Sequence, residues 1–146
     1  MDTSMEDRDN FRMVLMAEDD ADDRFFMGKA IEAASCGAEL RFVKDGAELM
    51  DYLQRRGRFN DHELSPRPSL ILLDLNMPRK DGRQALAEIK ADPVLKEIPL
   101  VIWTTSDLQE DRVKCREAGA NGYVRKPDSY TELENAVKKI VAEWLG

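Results

Sequence analysis

Leu70-Ile71-Leu72-Leu73-Asp74-Leu75-Asn76-Met77-Pro78 decides the fold. Four aliphatic residues make a short apolar run of strand length, closed by a carboxylate and followed by an Asn-Met-Pro turn signal. The same device recurs on both sides of it. Apolar runs lie at residues 13–17, 40–43, 100–103 and, shortest, 123–124. Between them the apolar residues take helical spacing: Phe26, Ala30 and Ala34 in 22–34; Leu49, Met50 and Leu53 in 47–55; Leu86 and Ile89 in 84–91. A fourth segment, 108–118, is opened by Ser106-x-x-Gln109, which reads as a capping box. The last is the clearest, with Ser129-x-x-Glu132 as a second box before Leu133, Ala136, Val137, Ile140, Val141 and Trp144. Strict alternation of five strands and five helices predicts βαβ units and an α/β fold on a parallel sheet.

A chain of 146 residues suits one domain with a full core. Residues 1–11 are polar and read as a flexible tail, and 12–146 as the domain, with no output domain. The connection 56–69, carrying Gly57, Pro66 and Pro68, is long for a structureless loop; it reads equally as a functional segment or a tolerated surface insertion. The net charge of −7 opposes non-specific affinity for nucleic acid or anionic lipid. No apolar run approaches membrane-spanning length. Cys36 and Cys115 form no paired ligand motif, and with no export signal they suggest a reducing cytoplasm. His62 is the only histidine, which removes His-rich zinc sites.

Four of the five runs lead into a reactive polar residue: Glu18 and Asp19, Asp74, Thr104, and Lys126. In an open parallel sheet, ligands bind beyond the carboxyl ends of the strands. Neighbouring strands lie ~4.8 Å apart, so these side chains can share one pocket, and the long stem of Lys126 can span the roughly 10 Å of two spacings. Carboxylates so gathered repel, each pair by about 3 kcal/mol at ~5 Å and an effective dielectric of ~20. Lys126 offsets part of this. A hard cation does so better, and Mg²⁺ favours one or two carboxylates, water and a phosphate oxygen. This set is what phosphoryl transfer to an aspartate requires. Asp74 is the expected nucleophile that forms an acyl phosphate, with Mg²⁺, Thr104 and Lys126 binding the phosphoryl oxygens.

Each piece alone has a plainer reading. The acidic stretch from Glu18 to Asp23 could be a solvated turn, and Asp20, Asp22 and Asp23 are assigned to capping the first helix. The joint occurrence at four strand ends carries the assignment. Two rivals share the strand-end geometry. A haloacid-dehalogenase-type phosphatase also forms an aspartyl phosphate, but needs an acid two residues after the nucleophile, where this chain has Asn76. A flavodoxin-like FMN carrier needs a hydroxyl-rich phosphate loop after the first strand, where this chain is acidic.

Glu18-Asp19-Asp20, the block from Leu72 to Pro78, Asp81-Gly82, Thr104-Thr105, Ala118-Gly119-Ala120 and Tyr123 through Lys126-Pro127 together resemble the response-regulator receiver domain. The separations of Asp74, Thr104 and Lys126 are also the family's. The resemblance implies a doubly wound sheet of order 2-1-3-4-5, the order the general rule for such folds takes from a receiver. It implies Glu18 and Asp19 as the acidic pair, Asp19 the more direct metal ligand, with Asp74 and the backbone carbonyl of Asn76 completing the Mg²⁺ site. Thr104 matches the switch hydroxyl, Lys126 the phosphate-binding lysine, and Tyr123 the aromatic whose rotamer follows Thr104. Lys126-Pro127 matches a cis peptide, and Asn76 and Ser106 match positions that tune the lifetime of the phosphorylated form. The phosphodonor implied is a sensor histidine kinase. The connection 56–69, the run from Leu75 to Arg83, Trp103 before Thr104, and Trp144 look like small phytochrome-associated regulators, which take phosphate from a light-sensing kinase. The face of the fourth helix, fifth strand and fifth helix is the expected signalling surface, as a homodimer paired through Glu110, Asp111, Arg112, Lys114 and Arg116.

Overall fold

Each strand of the protein hands its chain to a helix that begins on the same edge of the sheet. In order these are β1 (Met13–Ala17), α1 (Ala21–Ala33), β2 (Glu39–Val43), α2 (Gly46–Leu53), β3 (Leu70–Leu73), α3 (Gly82–Ala91), β4 (Leu100–Thr104), α4 (Gln109–Glu117), β5 (Gly122–Arg125) and α5 (Tyr130–Trp144). The computed structural model describes residues 11–77 and 81–145; nearly all of the expected tail, together with Pro78, Arg79, Lys80 and Gly146, lies outside the described residues. All pairings are parallel, in the order β2-β1-β3-β4-β5. The expected doubly wound α/β class and strand order are what the chain adopts.

The pleat divides the core in two, because alternate side chains face opposite ways. Met13, Leu15, Ala17, Ile71, Leu73, Leu100 and Ile102 pack on one face with Leu49 and Leu53 of α2 and Leu86 and Ile89 of α3. Val14, Met16, Leu70, Leu72, Val101 and Trp103 pack on the other with Met27, Ala30 and Ile31 of α1 and Val137 and Ile140 of α5. β1 and β3 are therefore apolar throughout, and β4 as far as Trp103, as strands covered on both faces must be. The buried stripe of α1 is Met27, Ala30 and Ile31, and Phe26 is 44% exposed. Spacing from Phe26 placed that face one residue too early.

Acidic and hydroxyl caps fix four helix starts. Asp20, Asp45, Asp81 and Ser129 accept from the backbone N–H of Asp23, Glu48, Arg83 and Glu132. The capping box read at Ser106 is not formed. Leu108 precedes α4 without a side-chain cap, and the Ser106 hydroxyl is drawn instead to Asp111. The 56–69 connection is packed down: it holds a 3-10 turn at Gly57–Phe59, the Tyr52 hydroxyl donates to Pro66 O at 2.9 Å, and Arg41 donates to Leu64 O at 2.6 Å. No helix of the described residues is long and apolar enough to cross a membrane.

Candidate phosphoryl-transfer site

Ala17 pairs with Leu73 in the last rung between β1 and β3, so Glu18 and Asp74 leave neighbouring strands side by side. Glu18 stays tied to the sheet, its N–H donating to Val43 O at 2.9 Å. Past β5, Lys126 N donates to Thr104 O at 2.7 Å, which holds the lysine backbone against the end of β4. From there its side chain spans the two strand spacings. Lys126 Nζ donates to Glu18 Oε1 at 2.6 Å and to Asp74 Oδ2 at 3.0 Å. Asp74 Oδ1 accepts from the Asn76 N–H at 3.1 Å, which orients the carboxylate.

Gly82 explains how α3 comes so close. A Cβ there would lie 2.2 Å from Asp74 O and 2.7 Å from Leu75 Cα, a separation no side chain tolerates. Glycine thus brings the N-terminal end of α3, with its positive partial charge, against the backbone of Asp74.

The electrostatics follow from burial. Glu18 is 2% exposed, and burial pushes its carboxyl above the usual range, against the pull of Lys126 and with the help of the Asp74 charge. Burial also opposes the Lys126 charge, but its bonds to Glu18 and Asp74 and their two negative charges outweigh it. The ammonium is held well above the ordinary lysine range. One cation between two carboxylates gains from both, whereas each carboxylate shares one cation.

Thr104 is fully buried at the end of β4, and its Oγ1 accepts from Ser106 N at 3.4 Å. The Tyr123 hydroxyl donates to Ser106 O at 3.0 Å, and Arg112 covers its ring at 4.7 Å. Lys126, Trp103 and Tyr130 line a cavity of about 320 Å³ beside the carboxylates. Asp19, the residue after Glu18, is exposed. Among the described residues no three acidic, His or Cys groups converge closely enough to hold a metal unaided, and Glu18 and Asp74 both engage Lys126.

Three corrections arise. Asp23, assigned only to the helix cap, also reaches Lys126 Nζ at 3.4 Å. Its place in the first turn of α1, just past the end of β1, could have signalled this. The Lys126-Pro127 peptide is not cis; no cis peptide occurs among the described residues. Trans is the lower-energy isomer even before proline, and Lys126 reaches both carboxylates with it. Asp111, expected among the charges pairing across the dimer face, is instead 8% exposed and bonded to Ser106 and Arg83.

Comparison with known proteins agrees with this geometry. A family model described as "Response regulator receiver domain" matches residues 14–138. Response regulator Rcp1 of Synechocystis sp. is 40% identical over 134 residues, covering 92% of this chain and 89% of Rcp1. The crystal structure of its Mn²⁺-bound form superposes with a TM-score of 0.83, over 92% of this chain and 94% of that one. The phosphorylated cyanobacterial phytochrome response regulator RcpA is 38% identical, with a TM-score of 0.86 over 93% and 95% of the two chains. A response regulator in red light signalling of R. palustris is 32% identical, with a TM-score of 0.87 over 93% and 95%.

Proposed function

Because the chain belongs to the response-regulator receiver family, a family of signalling modules rather than of enzymes in the usual sense, we propose that Asp74 is its phosphoacceptor. One observation carries this reading: Lys126 Nζ lies 3.0 Å from Asp74 Oδ2 at the open end of the central strand. The donor is the phosphohistidine of a sensor histidine kinase. An Asp74 carboxylate oxygen attacks phosphorus, the P–N bond breaks, and imidazole leaves with the electron pair. Lys126 supplies a fixed positive charge where phosphoryl oxygens gather, and Thr104 a hydroxyl on the other side. Glu18, Asp19, Asp74 and the Asn76 carbonyl offer the hard oxygen donors that Mg²⁺ takes in small number, and they are the residues that would hold it. When bound, the metal neutralises the clustered carboxylates and binds a phosphoryl oxygen. Likeness to Rcp1 and RcpA supports a light-sensing, phytochrome-type kinase as the donor, and two free cysteines suit a reducing cytoplasm.

Signalling then passes through the α4–β5–α5 face, as a homodimer. The face is narrower than expected. Asp111 is turned inward, Lys114 pairs with Glu110 at 2.7 Å, and Arg112 lies on Tyr123, which leaves Arg116 for contacts across a two-fold axis.

Acetyl phosphate with Mg²⁺, read by intact mass, tests the acceptor. Wild type should gain one phosphoryl group and Asp74→Asn none; equal labelling of the variant would end the reading. Light scattering on the same samples tests the dimer. Association on phosphorylation that is lost in Arg116→Glu is expected, and a monomer in both states would refute the face.

A further inference from the structure

Glu18 is held by its backbone from two directions. Its N–H donates to Val43 O at 2.9 Å, which ties it to the end of β2. Its carbonyl accepts from Arg24 Nε at 2.6 Å, and the guanidinium of that arginine lies over the Phe42 ring of β2 at 5.2 Å. Phe42 and Val43 are adjacent, so both supports lead back to one short stretch of β2. The carboxylate of the next residue, Asp19, is in the opposite position. It is exposed, and no hydrogen bond from another described residue reaches it.

We infer that Arg24 is a positioning residue for the proposed Mg²⁺ site: by holding the Glu18 carbonyl, it fixes the peptide plane from which Asp19 offers its carboxylate to the metal. This rests on the reading of Glu18 and Asp19 as metal ligands given above.

The peptide between Glu18 and Asp19 is planar, so the direction of the Glu18 carbonyl also sets where the Asp19 Cα lies. Without the bond from Arg24, the Glu18 ψ angle is free to turn and Asp19 swings with it. A carboxylate with no partner of its own has only its backbone to place it. The Glu18 carboxylate differs, because Lys126 holds one of its oxygens and the Asp20 N–H, at 3.2 Å, the other. Arg24 therefore acts chiefly through Asp19. Arginine suits the place, since a guanidinium donates in its plane while its face meets a ring, and an ammonium has no such plane.

Two plainer roles make different predictions. If Arg24 only fastens the first turns of α1 to β2, its loss lowers stability and leaves metal affinity alone. If it acts only as a nearby cation, its loss removes repulsion and tightens metal binding. Positioning predicts the opposite sign.

Mn²⁺ binding to the whole chain, read as loss of the free-ion EPR signal and reversed by Mg²⁺, separates the three. Arg24→Ala should weaken binding about tenfold, the lower end of what removing a contact that orients a metal ligand costs. Arg24→Lys, which keeps the charge and the fold but not the planar donor, should fall between Arg24→Ala and wild type. Asp19→Asn should weaken binding more than Arg24→Ala does. Adding Arg24→Ala to it should cost little further, since the arginine acts through Asp19. Unchanged or tighter binding in the folded Arg24 variants, whatever their melting temperatures, overturns the inference, provided Asp19→Asn binds more weakly than wild type. If Asp19→Asn binds Mn²⁺ as wild type does, the metal reading itself falls.

Discussion

Glu18 and Asp111 are both buried carboxylates near the carboxyl edge of the sheet, yet their surroundings treat charge in opposite ways. Glu18 sits beside a second carboxylate and shares one lysine with it, so burial prevails and its carboxyl is pushed up. Asp111 has a hydroxyl on one oxygen and a guanidinium on the other, so hydrogen bonding prevails and its carboxyl is held down. The first arrangement is left short of positive charge, as the proposed Mg²⁺ site requires. The second is complete within the protein, and its bonds tie α3 to α4. Helix α3 joins them, since Gly82 belongs to the pocket and Arg83 to the tie.

The comparison breaks most visibly at Lys126. Lys126→Met leaves Glu18 and Asp74 facing each other without a cation, and should destabilise the protein by about 3–5 kcal/mol in urea unfolding with EDTA present. Adding Glu18→Gln to that variant should recover most of the loss, because the repulsion and the buried charge go together. If the double variant is no more stable than Lys126→Met, the deficit of positive charge is not what the pocket is built around.

Gly82 comes next in size. Gly82→Ala places a methyl group against Asp74 O, and α3 must retreat at a cost of about 1–3 kcal/mol. The retreat also moves Arg83, so Arg83→Ala should cost less in that variant than in wild type. An equal cost in both would show that pocket and tie are independent.

Much of this was legible in the sequence, for physical reasons that differ by residue. β1 and β3 are covered on both faces, so their continuous apolar runs marked them without ambiguity. Edge strands were harder, because Glu39, Gly122 and Arg125 need no apolar side chain to extend β2 and β5. The convergence of Glu18, Asp74 and Lys126 was legible because strand ends are fixed by pattern and parallel pairing then sets them side by side, with Thr104 at the neighbouring end of β4. Asp23 and the Arg83–Asp111–Ser106 bonds were missed. They depend on how long side chains cross between elements distant in sequence, which no periodicity records. Ser106-x-x-Gln109 misled because α4 begins only at Gln109: the Ser106 hydroxyl accepts from the Leu108 N–H and donates to Asp111, ahead of the position a cap would take. The Lys126-Pro127 isomer was beyond reach as well, since the two forms before proline differ by only about 0.5–1 kcal/mol.

The smallest effect concerns the pH dependence of the tie. Asp111 titrates below its unfolded value when folded, so the stability it contributes is complete above about pH 4 and is lost as the pH falls through the lower, folded value. Asp111→Asn keeps the shape of the side chain but not its charge. It should cost about 1–2 kcal/mol at pH 7, the worth of hydrogen bonds to a charged group. The same variant should cost progressively less below pH 4, because wild-type Asp111 is then itself protonated. The two unfolding curves therefore converge on the acid side. A gap that stays constant down to pH 2 would mean that the variant acts through packing. Ser106 and Arg83 would then be neighbours of Asp111 rather than the groups that hold it charged.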